Sequence, residues 1–137
     1  ICVRLVGSEM CIRDSFTGWA CANCRRVEEN TWSEPKVYDM INNEFILISL
    51  YVDDRSDLNQ DQIIILTDKN GNEKTLKKVG EKWSAFQTIN FKNNSQPYYV
   101  LLSPNLEVLN KPIQYTDTDT YQSWLSEGLE NFKKNYK

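Results

Sequence analysis

The sequence predicts an α/β sandwich, a mixed sheet flanked by helices. Three observations carry that reading. A C-x-x-C pair, Cys21 and Cys24, stands where an apolar strand tail turns into a helix. The run from Phe45 to Val52 is almost continuously apolar, the pattern of a strand buried on both faces in the middle of a sheet. Segments with helical and strand-like spacing then alternate along the rest of the chain.

The elements come in this order. Cys21 to about Asn30 reads as a helix, because Ala22, Arg25, Arg26 and Glu28 are good helix formers. Thr31-Trp32-Ser33-Glu34-Pro35 interrupts it. Ser33 is positioned to cap a second helix, with Pro35 tolerated in its first turn. That helix places Val37, Met40 and Ile41 on one face and ends at Asn42-Asn43. The buried strand Phe45 to Val52 stops at Asp53-Asp54, a solvated strand end; a hard-cation site needs more converging oxygens. Residues 55–79 read as an insertion. Within it, Ile63 to Thr67 and Glu73 to Leu76 flank a hairpin turn centred on Asn70-Gly71, and Lys74, Lys77 and Lys78 form a solvated face.

Gly80 opens a helix to about Phe91, with Trp83 and Phe86 expected in the core. After a loop at Lys92 to Ser95, Gln96-Pro97 leads into a strand, Tyr98 to Leu102. A turn at Pro104-Asn105-Leu106 gives a short antiparallel partner, Glu107 to Leu109, at the sheet edge. A final amphipathic helix, Thr118 to about Lys134, aligns Tyr121, Trp124, Leu125, Leu129 and Phe132.

The chemistry concentrates in Cys21-Ala22-Asn23-Cys24. This spacing puts both sulfurs on the first helical turn, close enough for a disulfide. Unpaired N–H groups and partial positive charge at a helix N-terminus favour a thiolate at the first cysteine. Cys21 is therefore the candidate attacking thiol and Cys24 the resolving one. Arg25 and Arg26 add positive charge, with side chains read as solvent-facing. A C-x-x-C can also be half of a zinc site, but structural zinc takes four Cys or His ligands and this chain has no histidine. A disulfide closing so short a loop stabilises little, which favours redox chemistry over a structural bridge.

Composition sets the outer bounds. The chain has 137 residues, 40% hydrophobic and 12% aromatic, enough for one domain with a core. A net charge of −3 gives no electrostatic footprint for nucleic acid. The absence of histidine excludes Ser-His and Cys-His nucleophile pairs. The longest apolar run is too short to span a bilayer. Cysteine usage alone suits either a cytosolic or an exported protein.

The first fifteen residues stand apart. Leu5 to Ser15 resembles one translated reading frame of a transposase-type sequencing adapter, so residues 1–15 are read as foreign to the domain at 16–137. Cys2 and Cys11 then leave the functional argument; the net charge is unaffected, because Arg4 and Arg13 cancel Glu9 and Asp14. The natural protein is expected to begin upstream. The strand that should precede Phe16 is expected to be missing or replaced, Ile1 to Val6 being a candidate substitute, and the chain is expected to be poorly stable.

The order of elements, with C-x-x-C opening the first helix and a proline before a later strand, resembles the thioredoxin-like superfamily. Phe16 to Arg25, Glu28-Glu29, Leu50 to Asp54 and Asn94 to Leu102 are similar to the C-terminal thioredoxin-like domain of DsbD-type thiol:disulfide interchange proteins. The resemblance implies that Cys21 attacks a substrate disulfide and that Cys24 resolves the mixed disulfide. It implies that Pro97 is cis and faces the motif, that Gln96 offers its main chain to a bound peptide, and that Trp19 shields the disulfide and helps bind substrate. Many such domains carry a buried Asp six residues before the first cysteine; that position is Ser15 here.

The resemblance further implies a protein-disulfide reductase at the periplasmic face of the inner membrane, in the company of cytochrome c biogenesis. Its electrons would come from a membrane-embedded donor and pass to exported disulfide-containing proteins. No cofactor or metal beyond the Cys21–Cys24 disulfide is expected, nor any nucleic-acid partner. The Ala22-Asn23 dipeptide, lacking histidine, favours a reductant. A free-standing thioredoxin-like protein with a soluble donor is the second reading. A redox-independent peptide-binding module using the Gln96-Pro97 edge is the third.

Overall fold

Strand β1 (Cys11–Thr17) is the middle strand of a three-stranded sheet in a computed structural model that describes residues 11–136. It pairs in parallel with β2 (Phe45–Tyr51) and antiparallel with β5 (Tyr98–Leu102), so the sheet is mixed, as the sequence predicts. The strand expected to be missing or replaced is present. Most of it comes from the run read as foreign, whereas Ile1 to Val6 lie outside the described residues.

Between β1 and β2 the chain forms α1 (Ala22–Arg26), a π turn (Val27–Thr31) and α2 (Pro35–Glu44). The expected helix over residues 21–30 is thus only half α-helical. The Trp32 N–H reaches back five residues to the Val27 carbonyl at 3.0 Å. Ser33 does not cap α2: its hydroxyl donates to the Glu29 carbonyl, and Glu34 holds the cap position without a side-chain bond. Pro35 opens the helix as expected, and α2 runs on past Asn42-Asn43 to Glu44. Its inward face carries the buried Val37 and Ile41 with Met40 beside them.

Strand β2 corrects a second expectation. Only Phe45 and Leu50 are buried along it, and Leu47 is 41% exposed. The strand lies at an edge: among the described residues only β1 pairs with it, so continuous apolar character does not make it central here.

Within the stretch read as an insertion, β3 (Ile64–Thr67) and β4 (Glu73–Leu76) form a separate two-stranded antiparallel sheet. Asp68 organises the turn by accepting the N–H groups of Asn70 at 2.8 Å and Asn72 at 2.9 Å, while Gly71 takes φ of 81°. That left-handed conformation is what glycine supplies there. Of the basic cluster, Lys78 pairs with Asp57.

Helix α3 (Val79–Phe91) covers one face of the sheet, against Phe16, Leu50, Tyr98, Val100 and Leu102. Phe86 stacks at 6.1 Å from Phe16 yet remains 41% exposed, so it rims this core rather than filling it. The opposite face carries Tyr99 and Leu101 against α2 and α4 (Thr118–Tyr136), the even and odd residues of β5 dividing between the faces as a strand requires. Of the predicted α4 stripe, Tyr121, Trp124, Leu125 and Phe132 are buried and Leu129 packs beside them. Burying a side chain such as Leu125 or Phe132 contributes roughly 1.5–3 kcal/mol. The expected strand at Glu107 to Leu109 is reduced to one bridge, Leu102 with Val108, after a turn in which Leu106 takes φ of 67°. No helix among the described residues is long and apolar enough to cross a membrane.

Candidate active site

The parallel pairing of β1 with β2 sets Thr17 opposite Tyr51, so both strands run out at the same end of the sheet. After β1 comes Gly18-Trp19-Ala20-Cys21; after β2 comes Val52-Asp53-Asp54. The antiparallel pairing of β1 with β5 sets Phe16 opposite Tyr98, which brings Gln96-Pro97 to that end too. The topology thus collects three segments, distant in sequence, that only the family resemblance had joined.

Cys21 and Cys24 form a disulfide with Cα atoms 5.2 Å apart. Cys21 is the N-cap of α1, and its Sγ accepts the Cys24 N–H at 3.2 Å. Cys21 is half-buried, whereas Cys24 is 1% exposed. One sulfur is therefore reachable from solvent and the other is sealed behind it. The end of α1 supplies a donor to the reachable one, which favours negative charge on it when the bond is open.

Arg25 does not extend into solvent. Its guanidinium donates to Thr17 Oγ1 at 3.0 Å and to the Gly18 carbonyl at 3.1 Å, and it pairs with Glu28 at 3.2 Å. It ties α1 back onto the end of β1. Arg26 reaches only Asn23, at 3.4 Å.

Trp19 is 67% exposed and stacks on Tyr51 with ring centroids 4.1 Å apart and an interplanar angle of 15°. It is a surface aromatic two residues before Cys21, not a core residue. Its backbone is held by a group to which the sequence assigned no role. Asp53, read as a solvated strand end, accepts the N–H groups of Trp19 at 3.0 Å and Ala20 at 3.2 Å. The signal lay in the strand ends: in a parallel pair, residues two beyond each end are neighbours.

The Gln96–Pro97 peptide is cis, and the Pro97 side chain is fully buried. Gln96 is part-exposed just outside the β1–β5 ladder. Ser15, six residues before Cys21, is buried at 1% exposure. The neighbouring carboxyl belongs to Asp14, whose side chain points to the other face of the sheet, into a cavity of about 430 Å³ that it lines with Ile48, Leu50 and Trp83. Burial there pushes the Asp14 carboxyl up to about 6. Among the described residues no cluster of three or more His, Cys, Asp or Glu side chains is placed to hold a metal ion.

No family model matches the chain, and no curated protein matches it. Solved structures do. A thioredoxin-fold protein from Helicobacter pylori superposes with a TM-score of 0.64 at 17% identity, over 94% of this chain and 74% of that one. The chain has the thioredoxin fold. The DsbH oxidoreductase matches at TM-score 0.59 and 11% identity, over 89% of this chain and 74% of its own. A thioredoxin from Thermus thermophilus matches at 0.57 and 14% identity, over 86% and 72%. At these identities the likeness establishes the fold, and the chemistry rests on the site itself.

Proposed function

We propose that this chain is a thiol:disulfide oxidoreductase that works as a protein-disulfide reductase or interchange domain. The observation that carries the reading is the asymmetry of the pair: a reachable Cys21 capping α1 and a sealed Cys24 whose N–H points at the Cys21 sulfur. In the dithiol form, the Cys21 thiolate attacks one sulfur of a substrate disulfide. The S–S bond breaks, the other substrate sulfur leaves as a thiolate and takes a proton, and a mixed disulfide joins Cys21 to the substrate. Cys24 then loses its proton and attacks the Cys21 sulfur. The second substrate sulfur leaves as a thiol, and the Cys21–Cys24 disulfide is restored. Two electrons pass from the protein to the substrate.

Trp19 with Tyr51 on one side and Gln96-Pro97 on the other are the surfaces on which a peptide would lie. The similarity of residues 16–134 to DsbD-type domains supports a finer reading. In it, the domain acts at the periplasmic face of the inner membrane, draws electrons from a membrane-embedded donor and delivers them to exported proteins. The test is trapping. Cys24→Ser should accumulate a mixed disulfide with an oxidised protein substrate, visible as a mass adduct removed by dithiothreitol. Cys21→Ser should not. Equal trapping by both variants, or by neither, would overturn the assignment of roles.

A further inference from the structure

Helix α3 buries a polar side chain for which a packing core has no use. Gln87 is 0% exposed, and its buried face is shared with Gly80, one heptad earlier. Its amide is fully engaged with the loop that precedes Pro97. The Nε2 group donates to Asn93 Oδ1 at 3.1 Å and to the Ser95 carbonyl at 2.8 Å, while Oε1 accepts from Gln96 Nε2 at 2.9 Å. Asn93 Oδ1 also accepts the Ser95 N–H and hydroxyl, each at 2.9 Å. One buried amide thus fixes three of the four residues from Asn93 to Gln96.

A buried amide left unpaired is costly, so the loop has one arrangement that satisfies Gln87 and others that do not. That arrangement draws the Gln96 side chain inward, to Gln87 and the Asn94 carbonyl, and leaves the Gln96 main chain beyond the end of the β-ladder. The other end of the same helix is locked to the opposite side of the site: the Gly80 N–H donates to the Asp54 carbonyl at 2.9 Å, next to Asp53, which holds the Trp19 loop. We propose that Gln87 is a positioning residue for protein-substrate recognition, presetting the Gln96-Pro97 loop without touching the reacting sulfurs. The inference rests on the oxidoreductase reading above and deepens it.

The test separates recognition from redox chemistry. Pre-reduced protein, freed of dithiothreitol, is reacted in single turnover with insulin, a protein disulfide, and with 5,5′-dithiobis(2-nitrobenzoate), a small disulfide with no peptide. Each turnover converts the dithiol to the Cys21–Cys24 disulfide and one substrate disulfide to two thiols. In Gln87→Met, which keeps length and loses every hydrogen bond, the half-saturating insulin concentration should rise about ten-fold. The limiting rate, the rate with the small disulfide and the equilibrium constant of the Cys21–Cys24 pair with glutathione should stay within about two-fold. Gln87→Glu, which keeps the acceptor for Gln96 and loses the donors, should fall between.

Should the α3 variants fail to fold, Asn93→Ala removes one anchor of the same loop from outside the helix and must give the same selective loss. Equal loss on both substrates, or none on either, overturns the positioning role. A wild-type chain that reacts with neither substrate overturns the oxidoreductase reading, and the inference with it.

Discussion

The Asp53 carboxylate accepts the backbone N–H of Trp19 at 3.0 Å, fastening the loop before Cys21 to the end of the neighbouring strand. With the second bond, to Ala20, the carboxylate spans two consecutive amides. Trp19 in turn lies flat on Tyr51, so backbone and ring are held by the same strand end. Asp53→Ala should release both. Hydrogen bonds to a charged group contribute about 1.5–3 kcal/mol when sheltered; this one is exposed, so a loss of about 1 kcal/mol is expected. Asp53→Asn, which keeps one acceptor, should lose less. Denaturant unfolding gives the stability, and Trp19 fluorescence quenching should increase in step with it. Unchanged quenching in Asp53→Ala would mean the stack alone positions the loop.

Gly80 marks a close approach of α3 to the site. A Cβ there would lie 2.5 Å from the Val52 carbonyl oxygen and 2.7 Å from the Asp54 nitrogen, both backbone atoms that no rotamer change can move. Gly80→Ala should therefore push α3 off the end of β2 and destabilise the chain by about 2–3 kcal/mol. Thermal unfolding followed by circular dichroism measures it; a wild-type midpoint would contradict the packing described.

Asp14 makes stability depend on pH in a definite direction. Its folded carboxyl titrates near 6, above the ordinary 3.8, because burial disfavours the ion. The folded state thus holds this proton more tightly than the unfolded state. The contribution is fully present below about pH 4 and is lost as pH rises through about 6. The difference amounts to roughly 3 kcal/mol. Asp14→Asn, which cannot ionise, should match the wild type near pH 4 and be more stable near pH 7.5. Urea midpoints at the two pH values decide it; an advantage that shrinks with rising pH would be the wrong sign.

Much of the molecule was legible because its signals are local. The C-x-x-C, the Asn70-Gly71 turn, Pro35 at a helix start and the α4 stripe each state their structure within a few residues. What was not legible depended on neighbours. The apolar run of β2 looked central, but its burial is set by which strands flank it. Ser33 looked like a cap, but the π turn before it puts the Glu29 carbonyl within reach of its hydroxyl. Asp53 read as a solvated strand end and Gln87 carried no signal, and their partners, Trp19 and the Asn93–Gln96 loop, become visible only through strand register and helix phase. The strand before Phe16 was expected to be missing or replaced. Residues 11–17 form that strand, with Phe16 entering the α3 core and Thr17 receiving Arg25.

The most direct measurement is a redox titration of Cys21 and Cys24 in defined thiol buffers, read by alkylation and mass. A single two-electron transition at about −230 mV or below is expected for a reductant or interchange protein, with both cysteines changing together. A transition near about −120 mV would instead mark an oxidant. Two cysteines that alkylate independently, with no coupled transition, would contradict the dithiol chemistry altogether and leave a peptide-binding module as the reading to pursue.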